Sequence, residues 1–348
     1  MKLAAARLAG CLAALIATAA PAAPAEVRIA FVGALSGAQA WVGRDQRDGF
    51  ALALEQRKGR LGGVEVRFSE IDKPDRQQPE GVRVVTGLRT EESVVFVSTG
   101  AAPLELAGER CSQRFFSVAP PRDAVHENAG AIAQARRYRK VQLFAPPAQR
   151  PEVEAAFRRA FQGEVIWGSE LRDVREARPH AVYLALAWEE MLSFLKGYEN
   201  TGLFHRIPVI AAGVEPRELE ALGPAFSGLT VSARWAPGME REPSTRFVEA
   251  FKARFGRTPS TYAMQGYDAA LLLDAALQLS AVDPARALSA ARAEGVAGPI
   301  NLGANGFIVT DWHAWEVFNE SSGAPYLAAR ERTLRNYVGP LASHCKAR

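Results

Sequence analysis

The stretch FKARFGRTPSTYAMQGYDAA, residues 251–270, decides the fold. Its first part reads as the end of a charged amphipathic helix, with Phe251 and Phe255 interleaved with Lys252 and Arg254. Gly256 supplies a residue that tolerates the left-handed conformation at a helix end. Pro259 has no N–H and cannot continue the helix. A longer, apolar helix is predicted to restart near Thr261 and to run on through Ala and Leu.

Working outward, residues 1–25 have the form of an export signal. Lys2 and Arg7 make a basic start, Leu8 to Ala20 an apolar core, and Ala23-Pro24-Ala25 a small-residue cleavage site. The apolar run is too short for a good transmembrane span. Leu8-Ala9-Gly10-Cys11 also spells a lipid-attachment motif. Most of the apolar core follows Cys11, however, so cleavage after Ala25 is preferred over a lipid anchor. Without Lys2 and Arg7 the formal net charge falls from +4 to +2, too small and diffuse to argue for nucleic acid or an anionic membrane. The 348 residues suit two domains of about 100–200 residues each.

Cys111 and Cys345 remain after signal removal. Two readings stay open. They pair in an oxidising compartment, tying the tail to the first half of the chain, or Cys111 is buried and Cys345 is a free thiol.

Strands and helices alternate along the chain. Strands are predicted at Val27–Ala34, Val64–Ile71, Val94–Ser98 and Phe115–Val118, with helices at Trp41–Gln56, Pro79–Leu88 and Pro103–Gln113. A second series has strands at Val141–Ala145, Glu164–Gly168, Ala181–Ala187, Pro208–Ala212 and Leu229–Ala233. Its helices are Pro151–Phe161, Trp188–Tyr198 and Glu215–Leu222. After residues 251–270 come a helix near Pro284–Ala293 and extended runs at Gly306–Val309 and Trp315–Phe318. Such alternation means open, mostly parallel sheets covered on both faces, an α/β class with two doubly wound domains.

The order of a helix, FGxxP and YAxxGYDA resembles the Leu/Ile/Val-binding family, the extracytoplasmic solute receptors of ABC importers. The likeness extends over the whole mature chain. It implies a type I periplasmic-binding fold of two lobes with three crossovers, near Pro120, Ala236 and Thr310. One lobe would be 26–120 plus 237–310, the other 121–236 plus 311–348. It further implies a periplasmic, monomeric, cofactor-free receptor that closes on a small amino-acid-like or carboxylate/amide solute and hands it to a membrane permease. A ligand-sensing regulator of the same fold is the alternative. A secreted α/β enzyme is the remaining one.

Ligands of open α/β sheets bind beyond the carboxyl ends of the strands. The loop Gly33–Gly43 resembles the family's first ligand loop, and its aromatic falls at Trp41, one place before the usual position, which Val42 fills. Trp41 either lines the cleft or packs on its own helix. The glycines there do not fit a nucleotide loop. The loop Ser98-Thr99-Gly100-Ala101-Ala102 precedes Pro103 and offers N–H groups to an anion. The family's carboxylate-binding serine falls at Gly100, and a slip of one or two residues would put Ser98 or Thr99 there. In the third loop, with Ala119, the family's threonine for an α-amino group falls at Pro121, which has neither hydroxyl nor N–H. This departure weakens the case for an ordinary α-amino acid.

From the second lobe, Trp188 holds the place of a cleft aromatic, and the resemblance implies a Trp41–Trp188 sandwich. Glu215 either pairs with a ligand ammonium or is a helix N-terminal acid. Arg150 either meets an anion or is solvated. Enzyme motifs are lacking: His126, His180, His205, His313 and His344 are dispersed, there is no G-x-S-x-G, and neither cysteine has a catalytic setting. Asp311-Trp312-His313 reads equally as a polar site or as a loop at the third crossover. No metal cluster is expected.

Overall fold

A computed structural model describes residues 26–72, 81–86 and 94–346, so the expected signal peptide and Cys11 lie outside the described residues. The first sheet begins with β1 (Glu26–Gly33), whose Val27, Ile29 and Phe31 are buried. After it come α1 (Ala40–Gln56), β2 (Arg60–Leu61), β3 (Val64–Asp72), β4 (Gly81–Thr86), β5 (Val94–Ser98) and β6 (Phe115–Ser117). The strand order is β2-β3-β1-β4-β5-β6. β1 is parallel to β3, and β5 to β6, while β4 runs antiparallel between β1 and β5. The carboxyl ends of β1, β5 and β6 therefore share one edge, at Gly33, Ser98 and Ser117.

The second series is α2 (Ala124–Ala135), β7 (Lys140–Phe144), α3 (Arg150–Ala160), β8 (Glu164–Trp167), α4 (Leu171–Ala177), β9 (Ala181–Leu184), α5 (Trp188–Asn200), β10 (Val209–Ala211), α6 (Pro216–Leu222) and β11 (Thr230–Ala233). Then follow α7 (Glu242–Phe255), α8 (Thr261–Leu279), α9 (Pro284–Ala290), β12 (Ala293–Glu294), β13 (Pro299–Leu302), β14 (Ile308–Asn319) and β15 (Pro325–Tyr337). The second sheet runs β12-β13-β14-β11-β10-β9-β7-β8, with β15 paired to β14. β7 to β11 are parallel, as buried strands between helical layers should be.

Residues 251–270 behave as their sequence demands. α7 ends on Gly256 in the left-handed conformation, at φ 70°, and Ser260 caps α8 by accepting from Ala263 N. Gly266 is glycine for a packing reason. α8 lies so close to α1 that a β-carbon at Gly266 would sit 1.9 Å from Gln46 O, and one at Gly49 would sit 1.9 Å from Ala263 O. This contact carries α8, from late in the chain, onto the first lobe.

Several expectations need correction. Pro79–Leu88 is not a helix, since its described part is the strand β4. Val82 and Val84 are fully buried and Arg83 is exposed, so the period is two, and β-branched side chains favour it. The Pro103–Gln113 helix shrinks to one 3-10 turn, Leu104–Ala107, because Gly108 leaves helical geometry. The expected runs Gly306–Val309 and Trp315–Phe318 merge into one long strand, β14, which begins at Ile308. Its partner β15 was not anticipated, because PYLAARERTLRNY carries charge on a largely exposed strand. Nor was α2, whose apolar residues extend around the helix and whose Gly130 backs onto Phe157 O.

Where the chain passes between the lobes it is organised by Arg234, only 4% exposed. Its Nη1 donates to Val118 O at 2.7 Å, and its Nη2 lies 3.7 Å from Asp268 Oδ2. Asp268, fully buried on α8, accepts from Val296 N at 2.9 Å. Burial pushes its carboxyl up to about 6, and Arg234 and the Val296 amide oppose that rise. The two cysteines are bonded, with Cα atoms 5.5 Å apart.

Arg234→Met should cost about 3–5 kcal/mol, since it strands a buried carboxylate without its partner. The double variant Arg234→Met/Asp268→Leu should recover most of that loss. Urea denaturation at pH 7 of the parent, the single and the double variant measures both effects.

Candidate functional site

α1, α6 and the turn between α7 and α8 meet around one cavity. On the first lobe the loop after β1 is fastened by Asp72, whose Oδ1 accepts from Leu35 N at 2.8 Å and Ser36 N at 3.3 Å. Hydrogen bonds from Ser36 and Leu35 hold the Asp72 carboxyl below its ordinary range. That loop delivers Trp41, half-buried in the first turn of α1, while Val42 is 1% exposed and belongs to the core. Trp41 meets Tyr262 edge-on at 5.4 Å, and the Arg217 guanidinium of α6 covers its ring at 4.8 Å. These contacts join α6 of the second lobe to α1 and α8. They frame a cavity of about 590 Å³ lined by Trp41, Arg44, Asp45, Arg217, Arg257 and Ser260, among others. Arg257 neutralises Asp45 and Asp48 there, at 2.6 and 2.7 Å.

The loop after β5 is tightly built. Ser98 Oγ donates to Gly100 O at 2.9 Å, and Gln46 Nε2 donates to Thr99 O at 3.0 Å. Ser98 and Thr99 are fully buried, and the Thr99 hydroxyl has no hydrogen-bond partner. Gly100 is buried and Ala101 is exposed. In the third loop, Ser117 Oγ donates to Ala119 O at 2.7 Å and Ala119 is buried. Pro121 is buried beside Gly339, and its carbonyl accepts from Ala124 N at 3.1 Å.

On the second lobe, Trp188 opens α5, half-buried and packed on the core around Met191 and Leu195. The structure does not bring Trp188 into the cavity that Trp41 lines. A separate cavity of about 690 Å³ opens at the ends of β7 and β9, lined by Phe144, Pro146, Arg150, Leu186, Glu189 and Phe194, among others. Arg150 there is neither solvated nor free. It donates to Gly168 O and Ser169 Oγ, both at 3.2 Å, and lies 5.1 Å from the Trp167 ring, clamping two strand ends together.

Glu215 proves to be a helix-capping acid. It is the N-cap of α6, in a reciprocal capping box with Glu218. Its Oε2 also accepts from Thr261 N, the first residue of α8, at 2.8 Å. One carboxyl therefore serves two helix N-termini from two lobes. Burial pushes it up to about 8, with hydrogen bonds from Thr261 opposing and the charges of Glu218 and Asp45 adding to the rise.

Of the expected loops, the structure thus gathers Trp41 and Glu215 at the lobe junction and keeps Trp188 on the second-lobe side. Sequence reasoning missed Arg217, Tyr262 and Arg257 as junction residues. Tyr262 had a signal, since it opens the helix whose Gly266 demands close approach to α1. Arg217 had none, because one arginine on a polar helix face looks solvated. Asp311 is taken up by Arg332 at 2.9 Å and by Asn336 N, beside the third crossover.

Nothing catalytic is assembled from the remaining candidates. His126 is bound to the Tyr183 hydroxyl at 2.6 Å in the second-lobe core, and burial, then Arg159 and Arg122, push its pKa down to about 4. Among the described residues no three His, Cys, Asp or Glu side chains could hold a metal ion, and no helix is long and apolar enough to cross a membrane.

A family profile described as periplasmic binding protein matches residues 26–318. The chain belongs to that family. No curated protein matches it. Among solved structures, an ABC transporter substrate-binding protein from Sphaerobacter thermophilus is similar at 21% identity, covering 90% of this chain and 100% of that one, with a TM-score of 0.76. A solute-binding protein from R. palustris, in complex with 4-hydroxybenzoate, is 16% identical over 91% of this chain and 100% of that one, with a TM-score of 0.75. A leucine-binding protein from Thermotoga maritima is 20% identical over 90% and 99%, with a TM-score of 0.67. These likenesses establish the type I periplasmic-binding fold with its two lobes and mixed sheets, and they do not single out one ligand class.

The raised pKa of Glu215 gives a pH test. The folded state holds this proton up to about pH 8, whereas the ordinary value is 4.5, so Glu215 lowers stability progressively as pH rises through that window. Glu215→Gln keeps an acceptor for Thr261 N but cannot ionise. Its urea midpoint should fall less between pH 5 and pH 9 than that of the parent.

Proposed function

We propose that this periplasmic binding protein is the extracytoplasmic substrate-binding component of an ABC transporter, and that its ligand is a small aromatic carboxylate. The observation that carries the ligand class is how Glu215 is engaged. An α-amino acid needs an anion for its ammonium group, and the acid at the family's place for it is committed to Thr261 and Glu218. Pro121 removes the second polar contact, since it has no N–H and no hydroxyl. What remains is the loop of Gly100, Ala101 and Ala102, whose amide N–H groups donate to no other described residue. Backbone N–H groups left without an acceptor suit a carboxylate. Relatives crystallised with benzoate and with 3,4-dihydroxybenzoic acid, both from Rhodopseudomonas palustris, and with 4-hydroxybenzoate support the same reading.

In this reading residues 1–25 direct export and the mature protein works in the periplasm. The lobes are 26–120 plus 237–310 and 121–236 plus 311–337, with the remaining tail returning to the first. The ligand favours closure because only the closed state contacts it from both lobes. The closed complex is then presented to a membrane permease. Trp188 forms one apolar wall on the second-lobe side, where its half-buried ring lies at a carboxyl strand end.

Differential scanning fluorimetry with benzoate, 4-hydroxybenzoate, 3,4-dihydroxybenzoate, leucine and valine tests the ligand class, because binding raises the melting temperature by linkage. Aromatic acids should raise it and the amino acids should not. Calorimetry showing tighter binding of leucine than of any of the benzoates would overturn the assignment.

Trp188→Ala should weaken binding of the best benzoate about 5- to 100-fold, the loss expected from roughly 1–3 kcal/mol of aromatic contact. Its circular dichroism should match that of the parent. Loss of the fold would assign Trp188 to the core alone.

A further inference from the structure

Beyond β15 the chain leaves the second sheet and goes back to the first lobe. Tyr337 is still held there, paired with Thr310 of β14 and donating its hydroxyl to Glu127 of α2 at 3.1 Å. The next residues are docked elsewhere. Asn305 Nδ2 donates to Val338 O at 3.3 Å and to Ala107 O at 3.0 Å, so one side chain ties the tail to the turn after β5. Leu341 seats on Gly108, where a β-carbon would lie 2.6 Å from Leu341 Cβ. Cys345 is then bonded to Cys111, 234 residues away in sequence.

We propose that this tail is a fourth connection across the hinge, anchored on the first lobe by the Cys111–Cys345 bond, and that it limits how far the lobes open. Opening would carry Tyr337 with the second lobe while Cys345 stays with the first. The segment between them would then have to give up the Leu341 seat and the Asn305 bond. Three crossovers leave a hinge free to bend, whereas a fourth strand bonded at its far end resists the bend. The proposal rests on the hinge closure described above, but it is read on protein without ligand, so each can fail alone. Closure is checked separately, by whether a benzoate that binds the parent compacts it in solution scattering.

The test uses the mature chain in three forms: oxidised, reduced with dithiothreitol, and oxidised with a short Gly-Ser insertion after Tyr337. The insertion keeps the bond and the docked Leu341 but slackens the strand between the lobes. Small-angle scattering without ligand should give a larger radius of gyration for the reduced and the slackened protein than for the oxidised parent. Hydrogen exchange should rise at the amides around residues 119–122, 234–236 and 310–312 in both. A slackened protein that scatters like the parent overturns the proposal. So does faster exchange confined to residues 338–346, because the bond would then be a local staple. If reduction unfolds the chain, the slackened form alone decides between these outcomes.

Discussion

A charge that must be buried to hold the lobes together sets the terms for the rest of this molecule. Arg234 follows directly on β11 and reaches Val118 O, just past β6, and Asp268 on α8. Taking both ions out of water is expensive, and the pair is separated by 3.7 Å with Arg234 Nε and Asp268 Oδ2 lacking hydrogen bonds. Such a pair adds little net stability compared with apolar residues of similar volume. What it gives is position. The pair is kept only while the backbone at Val118, Arg234 and α8 stay in this register. The Asp of GYDA, which looks from sequence like one more residue on an apolar helix, is the acceptor that fixes it.

The junction on the other side of the lobes is built by a different device. α6 reaches the first lobe with Glu215 on Thr261 and with Arg217 on Trp41, so a short second-lobe helix touches α8 and α1 at once. Because the Glu215 carboxyl is shared by two helix N-termini, both favourable for an anion, its preference for the neutral form reflects how completely burial outweighs those dipoles.

Parts of this were legible in the sequence and parts could not be. Gly256, Pro259 and the apolar run after Thr261 announced two helices because each acts through local backbone constraints, and both formed at the expected residues. The buried parallel strands were legible as short apolar runs. β4 was misread since Val82-Arg83-Val84-Val85 is too short to separate a helical from a strand period by counting. β15 was invisible because its pairing with β14 uses backbone groups, and its charged side chains carry no apolar signal. At the site, the Trp41 ring is taken by Tyr262 and Arg217, partners supplied from more than 170 residues away. No local pattern encodes such contacts. The role of Glu215 hung on the same distance: the capping box is readable from spacing, the bond to Thr261 is not.

The close seat of α8 on α1 also has a consequence for how the chain reaches its fold. Residues 40–56 are completed by residues 261–279, so the first lobe cannot complete its core until α8 has been made. The second-lobe strands β7 to β11, by contrast, are contiguous between residues 140 and 233. Long-range pairing of this kind closes a large loop before any contact rewards it, and it slows folding. The contiguous strands β7 to β11 can therefore pair first, while the apolar face of α1 waits for a helix more than 200 residues further along the chain.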